Sequence, residues 1–234
     1  MKSTAGALER FIGTVFLDRD GTINRKPPEG EYVTSPEGFV FVPGAVEALR
    51  LLSGAGARIV VVTNQRGIAL GRMTEDDLAA IHRRMLLDLE AAGARVHAVY
   101  HCPHDIGTCA CRKPATGLFE RAAAEHPGLT WDRSVMIGDS ASDLQAASRL
   151  GIRGVMVATQ DTGIEDVCAD AFADSIIDAA GWAIENLRQP KRHSPAPSPA
   201  TERDPRRLAP SHRRRKRATS KRRRNDLPPS DWFA

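Results

Sequence analysis

Two carboxylates stand two residues apart where an apolar run gives way to a glycine turn, in Val15-Phe16-Leu17-Asp18-Arg19-Asp20-Gly21. A strand ending there would deliver Asp18 and Asp20 to one small space, and such oxygens are hard ligands suited to Mg²⁺ with its retained waters. Asp-Gly is also a common turn pair, so the pair by itself equally fits a capped turn. A second group, Cys102, His104, Cys109 and Cys111, falls within ten residues. Three thiolates and one imidazole make a closed tetrahedral Zn²⁺ site with no vacant position for water, which suits a structural role. In a reducing compartment that spacing argues for metal rather than disulfide.

Three further pieces follow in chain order. Val60-Val61-Val62-Thr63-Asn64-Gln65 ends an apolar run in a hydroxyl, Arg112-Lys113-Pro114 supplies cations, and Ile137-Gly138-Asp139-Ser140, with Asp143 beyond, ends another run in a carboxylate. The ordered combination, over about residues 14–160, resembles the haloacid dehalogenase superfamily of aspartate-nucleophile phosphatases.

That resemblance implies Asp18 as the nucleophile of an aspartyl-phosphate route, which splits one difficult step into two. Asp20 would protonate the leaving alkoxide and then deprotonate the attacking water, so it must be protonated at the first step. Thr63, Asn64 and Lys113 would hold phosphoryl oxygens. Asp18, Asp139 and the Asp20 backbone carbonyl would hold Mg²⁺, with Asp143 in support.

The Cys-x-His…Cys-x-Cys-Arg-Lys-Pro segment, together with Asp-Arg-Asp-Gly-Thr and Thr-Asn-Gln, is similar to the heptose bisphosphate phosphatase and histidinol-phosphatase branch. Thr63 through Ala69, Gly71 and Tyr32-Val33 resemble its heptose side. The resemblance implies Mg²⁺-dependent hydrolysis of the 7-phosphate of D-glycero-D-manno-heptose 1,7-bisphosphate, with Arg112 recognising the phosphate that is not cleaved. The alternative is histidinol phosphate or another small monoester. A catalytically idle, zinc-braced module carried to nucleic acid ranks last, because every motif residue is present.

The elements that must position these residues alternate short β-branched runs with helical patterns, predicting an α/β fold. The expectation is a Rossmann-like parallel sheet with helices on both faces, no large cap domain, and a zinc-stabilised loop near the active site. Strands are expected at 14–17, 59–62, 96–100, 134–137, 154–157 and 171–173. Helices are expected to open at Pro43-Gly44 and at Thr74, the second ending near Gly93, and to span 116–125, 141–150 and 175–187. Thr74-Glu75-Asp76-Asp77 offers a capping hydroxyl and three carboxylates against the helix dipole. Residues 20–42 leave the alternation at the carboxyl end of the first strand, where open α/β sheets bind ligands. A zinc-pinned Cys111 would fix Arg112 and Lys113 at the mouth of that site.

The chain has 234 residues and a formal charge of +4, but the charge is split. Residues 191–234 hold 14 Lys/Arg against 4 Asp/Glu and 7 Pro, leaving the body at −6. The expected division is a phosphatase domain over 1–190 and a basic, Pro-rich disordered tail over 191–234. Nucleic-acid contact by the tail is not favoured, since no aromatic residues interleave with its cations. No apolar run reaches the ~18–20 residues that span a bilayer, and no secretory leader is evident. A cytoplasmic monomer acting on a small phosphorylated sugar is expected. His82, His97, His101 and His126 read as surface or satisfied-core residues, and Cys168 as a small buried hydrophobe.

Overall fold

A computed structural model describes residues 11–157 and 168–191. Six parallel strands form one sheet: β1 (Gly13–Leu17), β2 (Ala57–Asn64), β3 (Ala98–Cys102), β4 (Ser134–Gly138), β5 (Arg153–Val157) and β6 (Ala171–Ala173). Their spatial order is β3-β2-β1-β4-β5-β6. Successive strands therefore run outward in one direction up to β3 and in the other from β4 onward. The reversal lies between β1 and β4, and the crevice outside their carboxyl ends is the site such sheets offer to ligands.

The helices are α1 (Ala45–Gly54), α2 (Glu75–Ala91), α3 (Gly117–Glu125), α4 (Ala141–Leu150) and α5 (Ile176–Leu187). Side chains alternate along a strand, so each central strand serves two cores. Val15, Leu17, Ile59, Val61, Val135 and Ile137 face α1, α2 and α5 in one cluster. Phe16, Val60, Val62 and Met136 face α3 and α4 in the other. Phe16 meets Phe119 of α3 edge-on at 4.9 Å between ring centroids. The expected two-faced sheet is the observed one.

Helix starts follow the expected chemistry. Thr74 Oγ1 accepts the Asp77 backbone N–H at 3.1 Å, and the Asp77 carboxylate accepts the Thr74 backbone N–H at 2.8 Å. Two expectations need correction. The third strand lies two residues later than its composition suggested, because β2 runs on to Asn64 and its register pairs Thr63 with His101 and Asn64 with Cys102. Cys168 is exposed, not buried; it sits in the approach to the short strand β6 rather than on an inward-facing strand position.

Residues 20–42 pack as an irregular cover, with Val33 and Phe39 buried in the α1/α2/α5 core. Bridges from Asn24 to Asp20 and to Phe41 close this excursion back on the end of β1. Beyond α5, Lys191 donates from its backbone to the Asp132 carbonyl at 2.7 Å and from Nζ to the Ile152 carbonyl at 2.9 Å. The rest of the expected basic tail lies outside the described residues. Among the described residues, no helix is long and apolar enough to cross a membrane.

Candidate active site and thiol cluster

Leu17 is the last residue of β1 and Gly138 the last of β4, so Asp18 and Asp139 leave adjacent parallel strands side by side. Asp143 joins them from the first turn of α4, and one carboxylate oxygen from each lies within 4.8 Å of the others. Ser140 holds Asp143 in place, donating from Oγ at 2.6 Å and from its backbone N–H at 3.2 Å to Oδ2. Gly21, at φ +92°, lies against Asp139, and a Cβ there would fall inside that carboxylate. The turn after Asp20 must therefore be glycine for the acidic group to close.

Lys113 is buried against this group. Its ammonium donates to Asp18 Oδ1 at 2.7 Å and to the Val62 carbonyl at 2.7 Å, and pairs with Asp143 Oδ1 at 2.6 Å. Lys26, which the sequence reading did not single out, reaches in from the excursion to Asp139 Oδ2 at 2.6 Å. Among the described residues, these three carboxylates face two ammonium groups, one of them half exposed. Burial pushes the Asp18 carboxyl up to about 8 against the opposing pull of Lys113, with Asp143 and Asp139 raising it further. Burial likewise raises Asp139, offset in part by Lys26. Asp139 Oδ1 is buried without a hydrogen-bond partner among the described residues. A crowded oxygen set short of cations, with an unpartnered lone pair, is what a hard divalent cation satisfies.

Asp20 is held differently from its neighbour. Arg19 donates from Nε and Nη2 to Oδ1 at 3.1 and 2.8 Å and from Nη2 to Oδ2 at 2.9 Å. Asn24 Nδ2 adds a bond to Oδ1 at 2.9 Å, and Gln65 Nε2 one to Oδ2 at 2.8 Å. Burial alone would raise this carboxyl, but Arg19 and the two amides outweigh it and hold it below its ordinary value. The expected proton donor is thus cradled as a carboxylate, the state that suits a base. To act as an acid it must leave the arginine fork.

Thr63 ends β2 buried, its Oγ1 accepting from Gln65 Nε2 at 2.9 Å. Asn64 braces the lysine backbone: Lys113 N donates to Asn64 Oδ1 at 3.0 Å and Asn64 Nδ2 donates to the Lys113 carbonyl at 3.1 Å. Arg112 is partly buried, and its Nη1 has no hydrogen-bond partner among the described residues. Arg19 and Gln65 stand inside the sequence motifs without a role assigned to them, and Asn24 and Lys26 carried no motif signal; Gln65 and Lys26 act on carboxylates 45 and 113 positions away.

The four sulfur and nitrogen atoms of the second group do converge. Cys102 Sγ lies 3.5 Å from Cys109 Sγ and 3.3 Å from Cys111 Sγ, and His104 Nδ1 lies 3.3 Å from Cys111 Sγ. Zn–S bonds of about 2.3 Å would set tetrahedral sulfurs about 3.8 Å apart, close to this spacing. Against desolvation, the backbone N–H groups of Arg112 and Cys111 hold the Cys109 thiol down to about 7, toward the thiolate a metal binds. Burial and the two other thiols push Cys111 up to about 12. The cluster is tied to the active-site strand by Gln65 N to the Cys102 carbonyl at 2.8 Å and Ala69 N to the Pro103 carbonyl at 3.1 Å. A Cβ on Gly117 would strike the Ala110 carbonyl, so this glycine lets α3 start flush against the cysteine loop.

Fold and site together define a phosphoric monoester hydrolase of the haloacid dehalogenase type, and the HAD-hydrolase-like family model matches residues 110–179. A D-glycero-β-D-manno-heptose-1,7-bisphosphate 7-phosphatase of Rhodopseudomonas palustris is 41% identical over 157 residues, 64% of this chain and 85% of the relative. A D-glycero-α-D-manno-heptose-1,7-bisphosphate 7-phosphatase of Mycobacterium tuberculosis is 38% identical over 165 residues, 69% of this chain and 86% of the relative. Among solved structures, the D,D-heptose 1,7-bisphosphate phosphatase of B. bronchiseptica, complexed with magnesium and phosphate, superposes with a TM-score of 0.66 at 30% identity, covering 74% of this chain and 98% of that one. The chain belongs to the heptose-1,7-bisphosphate 7-phosphatase family within the haloacid dehalogenase-like hydrolases.

Proposed function

We propose that this chain removes the 7-phosphate of D-glycero-D-manno-heptose 1,7-bisphosphate, with Asp18 as nucleophile. The observation that carries this reading is the buried Lys113 ammonium 2.7 Å from Asp18 Oδ1, in the cluster with Asp139 and Asp143, at the sheet's strand-order reversal. Phosphoryl transfer needs positioning and charge neutralisation more than covalent novelty, and these groups supply both. Asp18, whose side chain is 12% exposed, is accessible for attack yet fixed by Lys113. Lys113 and the Thr63 hydroxyl hold phosphoryl oxygens, and Asn64 keeps Lys113 in register. Asp20, once free of Arg19, delivers a proton to the departing sugar oxygen and takes one back from the attacking water. Arg112, with a buried N–H to spare, grips the phosphate that remains.

Asp18, Asp139 and the Asp20 backbone carbonyl would hold Mg²⁺, which when bound lets an anionic carboxylate approach an anionic phosphate. Support comes from the buried, unpartnered Asp139 oxygen and from the magnesium and phosphate in the related structure. Because Asp18 is held near 8 without metal, Mg²⁺ binding at pH 7 should release a proton, and affinity should rise with pH through that value. Calorimetry in buffers of different ionisation enthalpy reads this directly; a buffer-independent heat at pH 7 would refute it. Zn²⁺ in the Cys102, His104, Cys109 and Cys111 set would brace the loop that carries Arg112 and Lys113.

The deciding experiment is steady-state turnover of both anomers of the heptose bisphosphate beside histidinol phosphate. A kcat/KM for one heptose anomer at least ~10-fold above histidinol phosphate is expected, since an unfilled Arg112 subsite forfeits a charge-assisted interaction. Preference for histidinol phosphate would overturn the substrate assignment.

A further inference from the structure

His82 lies on α2, between Ile81 and Met85 of the buried face, and reads in isolation as core. Its surroundings say more. Arg19 is fully buried, and its guanidinium has two occupied edges: Nε and Nη2 grip Asp20, and Nη1 lies 3.1 Å from His82 Nε2. Arginine has donors only, so the bond requires a lone pair on His82 Nε2 and puts the imidazole proton on Nδ1. Behind His82 stands His101, 6.0 Å away between ring centroids, itself paired with Glu75 at 2.8 Å.

We infer that His82 is a positioning residue for the acid–base step: as a neutral acceptor it aims the Arg19 fork, and Arg19 places Asp20. This rests on the reading of Asp20 as the acid–base group. Burial, with Arg19 and His101 opposing a second positive charge, pushes His82 down to about 3, so the acceptor is kept at every working pH. An arginine fork held at one edge only would swing, so the place from which Asp20 moves to donate its proton would no longer be fixed. A misplacement of about 1 Å at a reacting group can cost on the order of 10²-fold.

The test uses the leaving group. In the first half-reaction, expulsion of a sugar alkoxide needs a proton from Asp20, whereas p-nitrophenoxide departs without one. The water attack that follows uses Asp20 as base for either substrate, so the comparison is made on leaving-group release in a single turnover. His82→Phe keeps the volume and removes the acceptor. It should lower the single-turnover rate of leaving-group release from the sugar phosphate roughly 10-fold or more, while the burst of p-nitrophenol from p-nitrophenyl phosphate slows less than about threefold. His82→Gln, whose side-chain oxygen can accept from Arg19, should recover most of the loss. Equal losses on both substrates, or no recovery by His82→Gln, would overturn the inference. Should His82→Phe fail to fold, ¹⁵N NMR of the wild-type imidazole decides: an Nδ1–H tautomer supports the assignment and an Nε2–H tautomer refutes it. Asp20→Asn separates the two levels. If it too slows leaving-group release from both substrates equally in a single turnover, the acid reading of Asp20 itself fails; if it is selective and His82→Phe is not, only the role of His82 fails.

Discussion

Asp18→Asn should abolish phosphate release, with a loss on the order of 10⁴-fold or more, because the amide cannot form the covalent intermediate and no second carboxylate is placed to replace it. Asp139 and Asp143 share the crevice but are engaged by Lys26, Ser140 and Lys113. The fold should survive, since Lys113 keeps Asp143 and the Val62 carbonyl as partners. Stability should even shift in an informative direction. The Asp18 carboxyl is raised in the folded chain to about 8, so the stability it lends is fully present below its unfolded value and is lost as pH rises through about 8. The asparagine variant lacks that loss. Without metal it should melt at or above the wild-type temperature at pH 9 while showing no advantage at pH 3. Phosphate release above about 1% of wild type in a variant verified by mass spectrometry, so free of deamidation back to aspartate, would remove Asp18 from the nucleophile's role.

The second large effect concerns the thiol cluster. Elemental analysis should find about one zinc per chain. Cys109→Ser should lower the melting temperature by roughly 10 °C, the scale expected when a structural site worth several kcal/mol is lost from a domain of this size. Activity should fall with it even in excess Mg²⁺. The cysteine loop is what presents Arg112 and Lys113, and Asn64 clasps the lysine backbone from the other side. A chelator strong enough to extract zinc should reproduce the effect, and Mg²⁺ added afterward should not reverse it. A serine variant of wild-type stability and activity would show that the four side chains converge without a metal and brace nothing.

Both effects follow from motifs that could be read along the chain, but their physical basis could not. Helix α4 begins and ends where the pattern placed it, at Ala141 and Leu150, because an amphipathic repeat and a C-terminal glycine are local signals. Strand β3 slid by two residues because an edge strand takes its register from its neighbour, and Val62, Thr63 and Asn64 of β2 carry it to Cys102. That slide matters, since it places the first cysteine of the cluster at a strand end beside the active-site strand. The histidines illustrate the same limit. Nothing in the spacing of His82 separates it from an ordinary core residue; only its 3.1 Å approach to Arg19, 63 positions away, does.

By itself, the sequence determined which groups are available: paired aspartates at a strand end, a lysine after a cysteine-histidine cluster, a third carboxylate after β4, and alternating apolar runs that require a two-faced parallel sheet. These are local matters of residue type, period and turn chemistry. Tertiary structure alone decided how the charges are shared. It gave Lys113 to both Asp18 and Asp143, brought Lys26 onto Asp139, and sent Asp20 into the arm of Arg19 instead of the acidic group. The reason is that a buried carboxylate's state is set by desolvation and by whichever cation comes within about 4–6 Å, and that cation's place in the chain leaves no mark on the neighbouring sequence.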